Sequence, residues 1–505
     1  MHGIGRIVNW HRPKIPVNTF AGRAFLVETS HVALKNTVKG LGTIRLGMRH
    51  THGIFLGSER SGARVNRQNT WMRSMTGVVA GALLLAGFPA NATADNRDLS
   101  QYSYLEIPIQ ETGIVDVVTD GDTFRFIEEG TADYVTVRLL GVNTPEVRGF
   151  NNLHQDKDMC GGIEATKVLA SVLRPGTKVQ LRSLDKSSEG RGRVQRYAFA
   201  WNPQTKQYDI DLQAVVAQSG LAMWFTVQNE PAQSYKYRVL IAQTQLKKIG
   251  LWDPNYCGPL EQPEAKLSVI VNWDAEGNDN NNVNGEYAII RNLGESDVDL
   301  TGWLLRDSGV SEWFHLPSGS ILAPNDFRVV HMGVGTNGTP ESRDLYWGSD
   351  EALFRNTDIS SFLGDGAYLL DRNTAVRSYY EYPCVLDCSD PMQGVLRITK
   401  VNAVSTAKKM SQRTNQEYIR IKNTGKSSAL LDGYHLRRDV STYPFLPNTS
   451  IRPGESLTVR IGKGQPTRST QYWGRDSTLL RDSGDRVALM SNRNVTISAK
   501  AWGKQ

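Results

Sequence analysis

Residues 113–146 read GIVDVVTDGDTFRFIEEGTADYVTVRLLGVNTPE, and this stretch has the clearest β-strand pattern of the region around it. Three segments within it, 113–118, 123–128 and 134–140, are rich in β-branched and aromatic residues and are separated by Gly and Asp. Such a composition favours β-strands joined by turns. The stretch therefore predicts the first strands of a β-rich domain, with an acidic turn at Asp120-Gly121-Asp122.

The same domain continues to about residue 260 with further strands and helices. Strand-like composition returns at 178–184 and 196–201, and apolar residues at three- and four-residue steps predict helices. The predicted helices cover three segments, 163–173, 212–218 and 234–248. Five strands and three helices in this order fit a five-stranded OB-fold barrel, so we expect an α+β domain over residues 101–260.

From about residue 261 the sequence changes to short strand-like segments punctuated by Gly, Pro and Asn, which predicts β-sandwiches. Four motifs occur twice, the first two pairs 131 residues apart and the third pair 126 residues apart. The pairs are Glu286-Tyr287 with Glu417-Tyr418, Gly302-Trp303 with Gly433-Tyr434, Tyr346-Trp347-Gly348 with Tyr472-Trp473-Gly474, and Gly364-Asp365 with Gly484-Asp485. One fold is therefore used twice, over 261–387 and 393–505.

The repeated pattern resembles the lamin tail domain. A Glu-Tyr pair, a Gly-Trp turn after Asp299-Leu300-Thr301, Leu316-Pro317 and a Tyr-Trp-Gly motif carry the resemblance over residues 265–385, and more loosely over 395–500. The resemblance implies an immunoglobulin-like sandwich with a binding role and no chemistry of its own. We therefore expect a multidomain, mainly β protein with one barrel and two immunoglobulin-like β-sandwiches.

The N-terminal region predicts export. Residues 78–88 form a long apolar run, preceded by Met72-Arg73 and followed by Ala92-Thr93-Ala94. This order is typical of a secretory signal peptide over 72–94, cleaved at the last alanine, and a buried helix is the alternative. The run is too short to span a bilayer comfortably, so we expect no stable membrane span.

Residues 1–71 precede this signal, so we expect them to be an over-extended start, with Met72 as the true initiator of a bacterial secreted protein. The whole chain has a net charge of +7 and a pI of about 9.1. However, residues 1–94 hold 12 Lys and Arg and 2 Asp and Glu, which leaves 46 and 49 for the rest. The mature protein is therefore near neutral, and whole-chain basicity is no evidence for nucleic-acid binding.

Charge differs sharply between the two predicted sandwiches. Residues 261–392 hold 8 basic and 22 acidic groups, whereas residues 393–505 hold 20 basic and 7 acidic groups. One hypothesis is that the second sandwich binds a polyanion, either nucleic acid or an anionic cell-surface polymer. The alternative is that the two sandwiches attract each other and neutralise their charges.

Four cysteines follow the predicted signal peptide. An even number in an exported chain indicates two disulfides, and the simplest pairing joins Cys160 to Cys257 and Cys384 to Cys388. A zinc site is the weaker alternative, because none of the spacings has a nearby histidine partner.

The acidic turn and the segment 138–146 are the candidates for chemistry. Carboxylates on a tight turn near a second acidic loop can surround a hard cation that takes oxygen ligands, which favours calcium. A phosphodiester transition state is negatively charged, and a guanidinium can meet two of its oxygens at once. Arg138 and Arg193 are therefore of interest, although a solvated turn and surface salt bridges are the ordinary alternatives.

Together these segments resemble the staphylococcal nuclease family over the whole barrel domain, including Gly220-Leu221-Ala222 and Ile249-Gly250-Leu251-Trp252. The resemblance implies that Asp122, Asn143 and the carbonyl oxygen of Thr144 bind Ca²⁺. The family usually has aspartate where this chain has Asn143, so one charge is missing from the site and calcium affinity is expected to be lower.

The same resemblance implies catalytic roles for three residues. Glu146 would orient or deprotonate the attacking water, while Arg138 and Arg193 would stabilise the pentacoordinate phosphorus. The family's substrate-contacting tyrosines are not matched in register. Trp224 and Phe225 lie close to that position and either stack on a base or belong to the core.

These observations predict a secreted calcium-dependent nuclease that hydrolyses DNA and RNA, free or associated with the cell surface. The alternative is a non-catalytic extracellular protein in which the barrel and the basic sandwich only bind nucleic acid. Retention of both arginines and Glu146 favours the enzyme, because binding alone would not require that combination.

Overall fold

A computed structural model of the chain describes residues 107–148, 157–309, 313–339, 342–357 and 363–503. These residues belong to one compact unit, Ala90–Gln505. The predicted N-terminal extension and the predicted signal peptide lie outside the described residues. Within the described part of the chain, no helix is both long and apolar enough to cross a membrane.

The first domain mixes strands with helices. Its strands are β1 (Ile109–Val118), β2 (Thr123–Glu128), β3 (Tyr134–Leu139), β4 (Val142–Asn143), β5 (Lys178–Arg182), β6 (Glu189–Gly190), β7 (Arg193–Asn202), β8 (Gln207–Asp211) and β9 (Met223–Trp224). Its helices are α1 (Gly162–Val172), α2 (Leu212–Gln218) and α3 (Ser234–Lys247), followed by a 3₁₀ turn at Gly250–Trp252. The three predicted helices are thus present, each within one residue of its expected ends.

The long strands of this domain pair into a closed ring. β1 pairs antiparallel with β2 and β5, β2 pairs with β3, and β5 pairs with β7. The ring closes where β3 runs parallel to β7, with Val137 beside Val194. Phe124, Phe126 and Val137 are fully buried inside it. Removal of these apolar side chains from water stabilises the ring.

The C-terminal part forms two β-sandwiches. The first contains β10 (Leu267–Asn272), β11 (Tyr287–Asn292), β12 (Val298–Asp299), β13 (Leu304–Arg306), β14 (Trp313–His315), β15 (Ile321–Leu322), β16 (Phe327–His331), β17 (Asp344–Tyr346), β18 (Asp365–Leu370) and β19 (Val376–Tyr382), with 3₁₀ turns at Asp279–Asn281 and Val283–Gly285. The second contains β20 (Leu396–Asn402), α4 (Met410–Gln416), β21 (Tyr418–Asn423), β22 (Ala429–Leu430), β23 (His435–Arg438), β24 (Ser441–Pro444), β25 (Ser450–Ile451), β26 (Ser456–Arg460), β27 (Thr470–Tyr472), β28 (Gly484–Met490) and β29 (Thr496–Gly503).

The two sandwiches have the same topology. Strands pair in the orders β10-β11-β16-β17, β12-β15 and β14-β13-β18-β19 in the first, and β20-β21-β26-β27, β22-β25 and β24-β23-β28-β29 in the second. Every strand of one sandwich therefore has a counterpart in the other, which confirms the repeat predicted from the sequence.

A buried glutamate explains why the Glu-Tyr motif occurs in both sandwiches. Glu286 is buried, and its carboxylate accepts hydrogen bonds from the backbone N–H groups of Leu353 (3.0 Å) and Phe354 (3.3 Å). Glu417 accepts from Leu479 (2.9 Å) and Leu480 (3.2 Å) in the same way. An unpaired buried N–H group is costly. Each carboxylate therefore accepts hydrogen bonds from loop N–H groups that have no partner in the sheets.

Both predicted disulfides are present. Cys160 is bonded to Cys257, which joins the residues before α1 to the end of the first domain. Cys384 is bonded to Cys388 in the connection between the sandwiches. These covalent links restrict the unfolded chain and so favour the folded state.

The first domain packs tightly against the first sandwich. The Trp252 ring meets the Tyr379 ring edge-on, with centroids 4.8 Å apart. Beside them, Arg238 Nη1 lies 2.8 Å from Glu381 Oε2, and both side chains are buried. A large apolar interface with a buried ion pair holds two domains in a fixed arrangement.

Candidate active site

The acidic turn between β1 and β2 is closed by its own hydrogen bond. Asp120 Oδ1 accepts from the backbone N–H of Asp122 at 3.0 Å. A Cβ atom added to Gly121 would lie 2.7 Å from Thr144 Oγ1 and 2.5 Å from the Cβ of Ala165. Glycine at this position therefore lets the turn pack directly on the loop after β4 and on α1.

Asp122 lies at the centre of the site. Its Oδ2 atom accepts from the backbone N–H of Thr144 at 2.7 Å and lies 3.1 Å from Nη2 of Arg138. Its Oδ1 atom accepts from Thr123 Oγ1 at 3.0 Å. The carboxylate thus fixes the loop after β4 against the acidic turn, and brings together residues 22 positions apart in the chain.

Arg138 projects from β3 and is buried. Its Nη1 atom donates to the carbonyl oxygens of Leu139 (2.8 Å) and Val142 (2.7 Å), and its Nη2 atom donates to Asn143 Oδ1 at 2.9 Å. The guanidinium carbon lies 5.4 Å from the centroid of the Phe225 ring. Arg138 therefore holds two of the three expected calcium ligands, Asp122 and Asn143, in one place.

Asn143 connects the site to the first sandwich. It is fully buried on β4, and its Nδ2 atom donates to the carbonyl oxygen of Ser308 at 2.7 Å. A carboxylate at this position would have no proton to donate to that carbonyl. The domain that covers residue 143 therefore favours an amide side chain over a carboxylate at this position.

Glu146 and Arg193 complete the predicted catalytic set. Glu146 is 9% exposed, and its pKa is raised by burial and by the Asp122 carboxylate, against the opposing charges of Arg138, Arg306 and Arg193. Arg193 begins β7 and is only half-buried; its Nη1 atom donates to Thr123 Oγ1 at 3.3 Å. The five predicted residues Asp122, Arg138, Asn143, Glu146 and Arg193 therefore share one site.

Three carboxylates, those of Asp120, Asp122 and Glu146, lie close together in the site. Burial, Asp122 and Glu146 together raise the pKa of Asp120 well above its usual range. A cation would relieve this repulsion, and Asp122, Asn143 and the Thr144 carbonyl offer the oxygen ligands that calcium takes. In this arrangement, however, the Asp122 and Asn143 oxygens are bonded to the guanidinium of Arg138.

Among the described residues, no group of three or more His, Cys, Asp or Glu side chains is arranged to hold a metal ion. The expected calcium site contains only one such side chain, Asp122, because Asn143 and Thr144 would bind through an amide and a backbone oxygen. The donor set fits calcium in chemistry, and it lacks the second carboxylate that would strengthen binding.

Arg306 is a site residue that sequence reasoning missed. It ends β13 in the first sandwich and is 1% exposed, and its charge lowers the pKa of Glu146. Its Nη2 atom donates to the Gly309 carbonyl oxygen, whereas Nη1 is buried without a hydrogen-bond partner in the described part of the chain. Arg306 lies 160 positions after Glu146, so only domain packing brings it near.

The two candidate substrate residues have different environments. Trp224 is 1% exposed within the barrel core, and its Nε1 atom donates to the Ser234 carbonyl at 3.2 Å, which corresponds to the core alternative. Phe225 is partly exposed and lines a cavity of about 530 Å³. Thr226 and sandwich residues including Asp307, Ser308 and Gly309 form the rest of its wall. Phe225 is therefore the aromatic side chain at the open side of the site.

Comparison with known protein families agrees with the sandwich topology. Residues 262–383 and 390–504 each match the lamin tail domain family. No curated protein matches the chain. The part of this chain from residue 262 to residue 504 therefore consists of two lamin tail domains in tandem.

Proposed function

We propose that this protein is a secreted, calcium-dependent nuclease that hydrolyses phosphodiester bonds of DNA and RNA. One observation carries the proposal: Asp122, Arg138, Glu146 and Arg193 converge on one site from separate segments of the chain. A carboxylate base beside two guanidinium groups can promote attack of water on a phosphodiester, since the base activates the water and the cations stabilise the transition state. The closed ring of strands supports an OB-fold assignment of the staphylococcal nuclease type.

Glu146 is the proposed general base. It would accept a proton from the water that attacks phosphorus, so it must be ionised when the reaction begins. Burial opposes ionisation, whereas the guanidinium groups of Arg138, Arg306 and Arg193 favour it. The cations around Glu146 therefore favour its ionised form, which is the form that can act as a base, although the side chain is buried.

The two barrel arginines have different proposed roles. Arg193 is half-buried and makes a single 3.3 Å hydrogen bond to Thr123, so it can turn towards a phosphate at little cost. Arg138 is held by two backbone carbonyls and by Asn143, which fixes its position before substrate binds. Such preorganised positive charge stabilises the negatively charged transition state.

Calcium is the proposed cofactor. Asp122, Asn143 and the carbonyl oxygen of Thr144 would hold it. When bound, the ion supplies Lewis-acid stabilisation of the phosphate oxygens. The two disulfides support the proposal of an extracellular protein, since disulfides persist in oxidising compartments.

The proposed route for substrate is the cavity beside Phe225. The Phe225 ring lines this cavity and its centroid lies 5.4 Å from the guanidinium carbon of the buried Arg138, so a phosphodiester would approach from the side where Phe225 and Arg193 are partly exposed. A base can stack on the Phe225 ring while its phosphate enters the site.

The decisive experiment measures acid-soluble nucleotides released from DNA and from RNA by the purified full chain. We expect release with calcium, none with chelator, and a severe loss in Glu146→Ala. A folded protein that binds nucleic acid with calcium present and leaves it intact would instead support the non-catalytic alternative.

A further inference from the structure

The two lamin tail domains differ in what covers one equivalent sheet face: another domain covers it in the first, and solvent surrounds it in the second. The face in question is the outer side of the sheet β10-β11-β16-β17 in the first domain and of β20-β21-β26-β27 in the second. Tyr287 pairs with His331 in the first domain, and Tyr418 pairs with Arg460 at the matching position in the second. The faces can therefore be compared residue by residue.

In the first domain this face is covered by the second domain. Its buried cluster consists of Tyr287, Ile289, Phe327 and Val329. The Tyr287 hydroxyl donates to the Phe445 carbonyl oxygen at 3.4 Å, and Arg291 Nε donates to Asp432 Oδ2 at 2.9 Å. The face is thus an interface between the two domains.

In the second domain the matching face is basic and open to solvent. Ile289 corresponds to Arg420, and Arg291 corresponds to Lys422, in the registers of β11 and β21. We call this surface the basic face; it consists of Arg397, Lys400, Tyr418, Arg420, Lys422 and Arg460. Within the described residues, none of its five cations forms an ion pair with a carboxylate.

The arrangement of the basic face is unfavourable for the fold itself. Lys400 lies directly opposite Arg420, and Arg397 lies directly opposite Lys422, across β20 and β21. Like charges at such positions destabilise a sheet. Four acidic residues of the domain pair with other cations: Asp432, Glu455, Asp476 and Asp485. Stability alone therefore does not account for this face.

An aromatic ring lies among these cations. The Tyr418 centroid is 5.5 Å from the Arg420 guanidinium, 5.7 Å from Lys400 Nζ and 6.0 Å from the Arg460 guanidinium. Cations that contact a phosphate backbone, together with a ring on which bases stack, are what single-stranded nucleic acid binds. A phosphate polymer without bases has no aromatic group that could stack on the Tyr418 ring.

We propose that the basic face of the second lamin tail domain is a binding surface for single-stranded nucleic acid. Its partner is recognised by phosphate charge and by stacking of a base on Tyr418. This inference goes beyond the proposed hydrolysis and does not depend on it, because the surface lies in a different domain from the candidate active site.

The test measures anisotropy of a fluorescein-labelled oligothymidylate mixed with the full chain in EDTA, where calcium-dependent cleavage is absent. The test variant combines Lys400→Ala, Arg420→Ala and Lys422→Ala. We expect its affinity to fall at least about tenfold, and the slope of log affinity against log salt to flatten by about 2, at ~0.7 for each lost phosphate contact. Tyr418→Leu should weaken binding at least about fivefold through lost stacking.

The matched control removes the same charge from exposed positions of the same domain, with Lys463→Ala, Arg468→Ala and Arg486→Ala. It should bind like the unmodified protein, and melting temperatures no lower than that of the unmodified protein should show that all variants fold. Equal losses in the test and control variants would overturn the proposal, since net charge alone would then explain binding. Wild-type affinity in Tyr418→Leu, with full displacement by inorganic polyphosphate, would overturn the nucleic-acid class in favour of an anionic polymer without bases.

Discussion

The side-chain amide of Asn143 donates a 2.7 Å hydrogen bond to the backbone carbonyl oxygen of Ser308. This bond joins the candidate active site of the barrel to the first lamin tail domain. Asn143 Oδ1 at the same time accepts from Arg138, so one amide side chain serves both domains. The candidate site is consequently built on the boundary between two domains, with one wall from each.

Asn143→Asp should lower the stability of the domain interface and raise the affinity for calcium. The carboxylate cannot donate to the Ser308 carbonyl and would face it buried, which should cost about 1–3 kcal/mol in the free energy of unfolding. The added charge should tighten calcium binding. Urea titration measures the change in stability, and calorimetry measures the change in calcium affinity.

Asn143→Ala is the control for this prediction. It should lose stability without any gain in calcium affinity. Equal calcium binding by Asn143→Asp and the unmodified protein would contradict the proposed ligand set.

Arg193→Lys should separate catalysis from stability. Lysine keeps the charge but loses the planar guanidinium that meets two phosphate oxygens, so kcat/KM should fall about 100- to 1,000-fold. The melting temperature should not change, because Arg193 is half-buried and makes one long hydrogen bond. Arg191→Lys, an exposed position in the same turn, provides the control and should retain full activity. Full activity in Arg193→Lys would remove this residue from the catalytic set.

Glu381→Gln should weaken the attachment of the first lamin tail domain. Glu381 pairs with Arg238 at 2.8 Å and also accepts from Gln245 Nε2 at 2.9 Å, all in buried positions. Loss of one partner of a buried ion pair costs about 3–5 kcal/mol, measurable by urea titration. Asp476→Asn removes the exposed ion pair with Lys463 and should leave stability unchanged. Similar effects of the two substitutions would show that the interface does not depend on this pair.

Glu286→Gln should change how stability depends on pH. Burial raises the pKa of Glu286 to about 9 from an ordinary value of 4.5. The folded protein therefore keeps a proton that the unfolded chain releases above pH 4.5, so stability falls as pH rises from 4.5 towards 9. Glutamine cannot lose a proton, and its carbonyl oxygen can still accept from Leu353 and Phe354.

We therefore expect Glu286→Gln to melt at a higher temperature than the unmodified protein at pH 8, and at nearly the same temperature at pH 5. Glu417→Gln, the matching position in the second domain, is the comparison. Its pKa is also raised by burial, but Arg413 opposes the shift, so the gain at pH 8 should be smaller. A lower melting temperature for Glu286→Gln at pH 8 would indicate that the carboxylate is ionised in the folded protein.

Local sequence patterns predicted much of the secondary structure. Periodicity located the three helices of the barrel domain, and β-rich composition located its long strands. Short strands such as β4 and β9, two residues each, had no local signal because they form only where Asn143 meets Met223. The repeat of Glu286 in Glu417 was visible in the sequence, because each copy of the fold has the same buried loop to satisfy.

The mainly β architecture and the two-fold repeat follow from the sequence alone, because periodicity and spacing are local properties of the chain. The disulfide pairing was the simplest one among four cysteines, and the candidates Asp122, Arg138, Glu146 and Arg193 rest on residue chemistry together with a family resemblance. The tertiary structure was needed to show that Arg306 and Ser308 meet the site, that Asn143 bonds across domains, and that one sheet face is covered while its copy is open. Contacts between residues more than a hundred positions apart depend on how domains pack, and no local pattern records that packing.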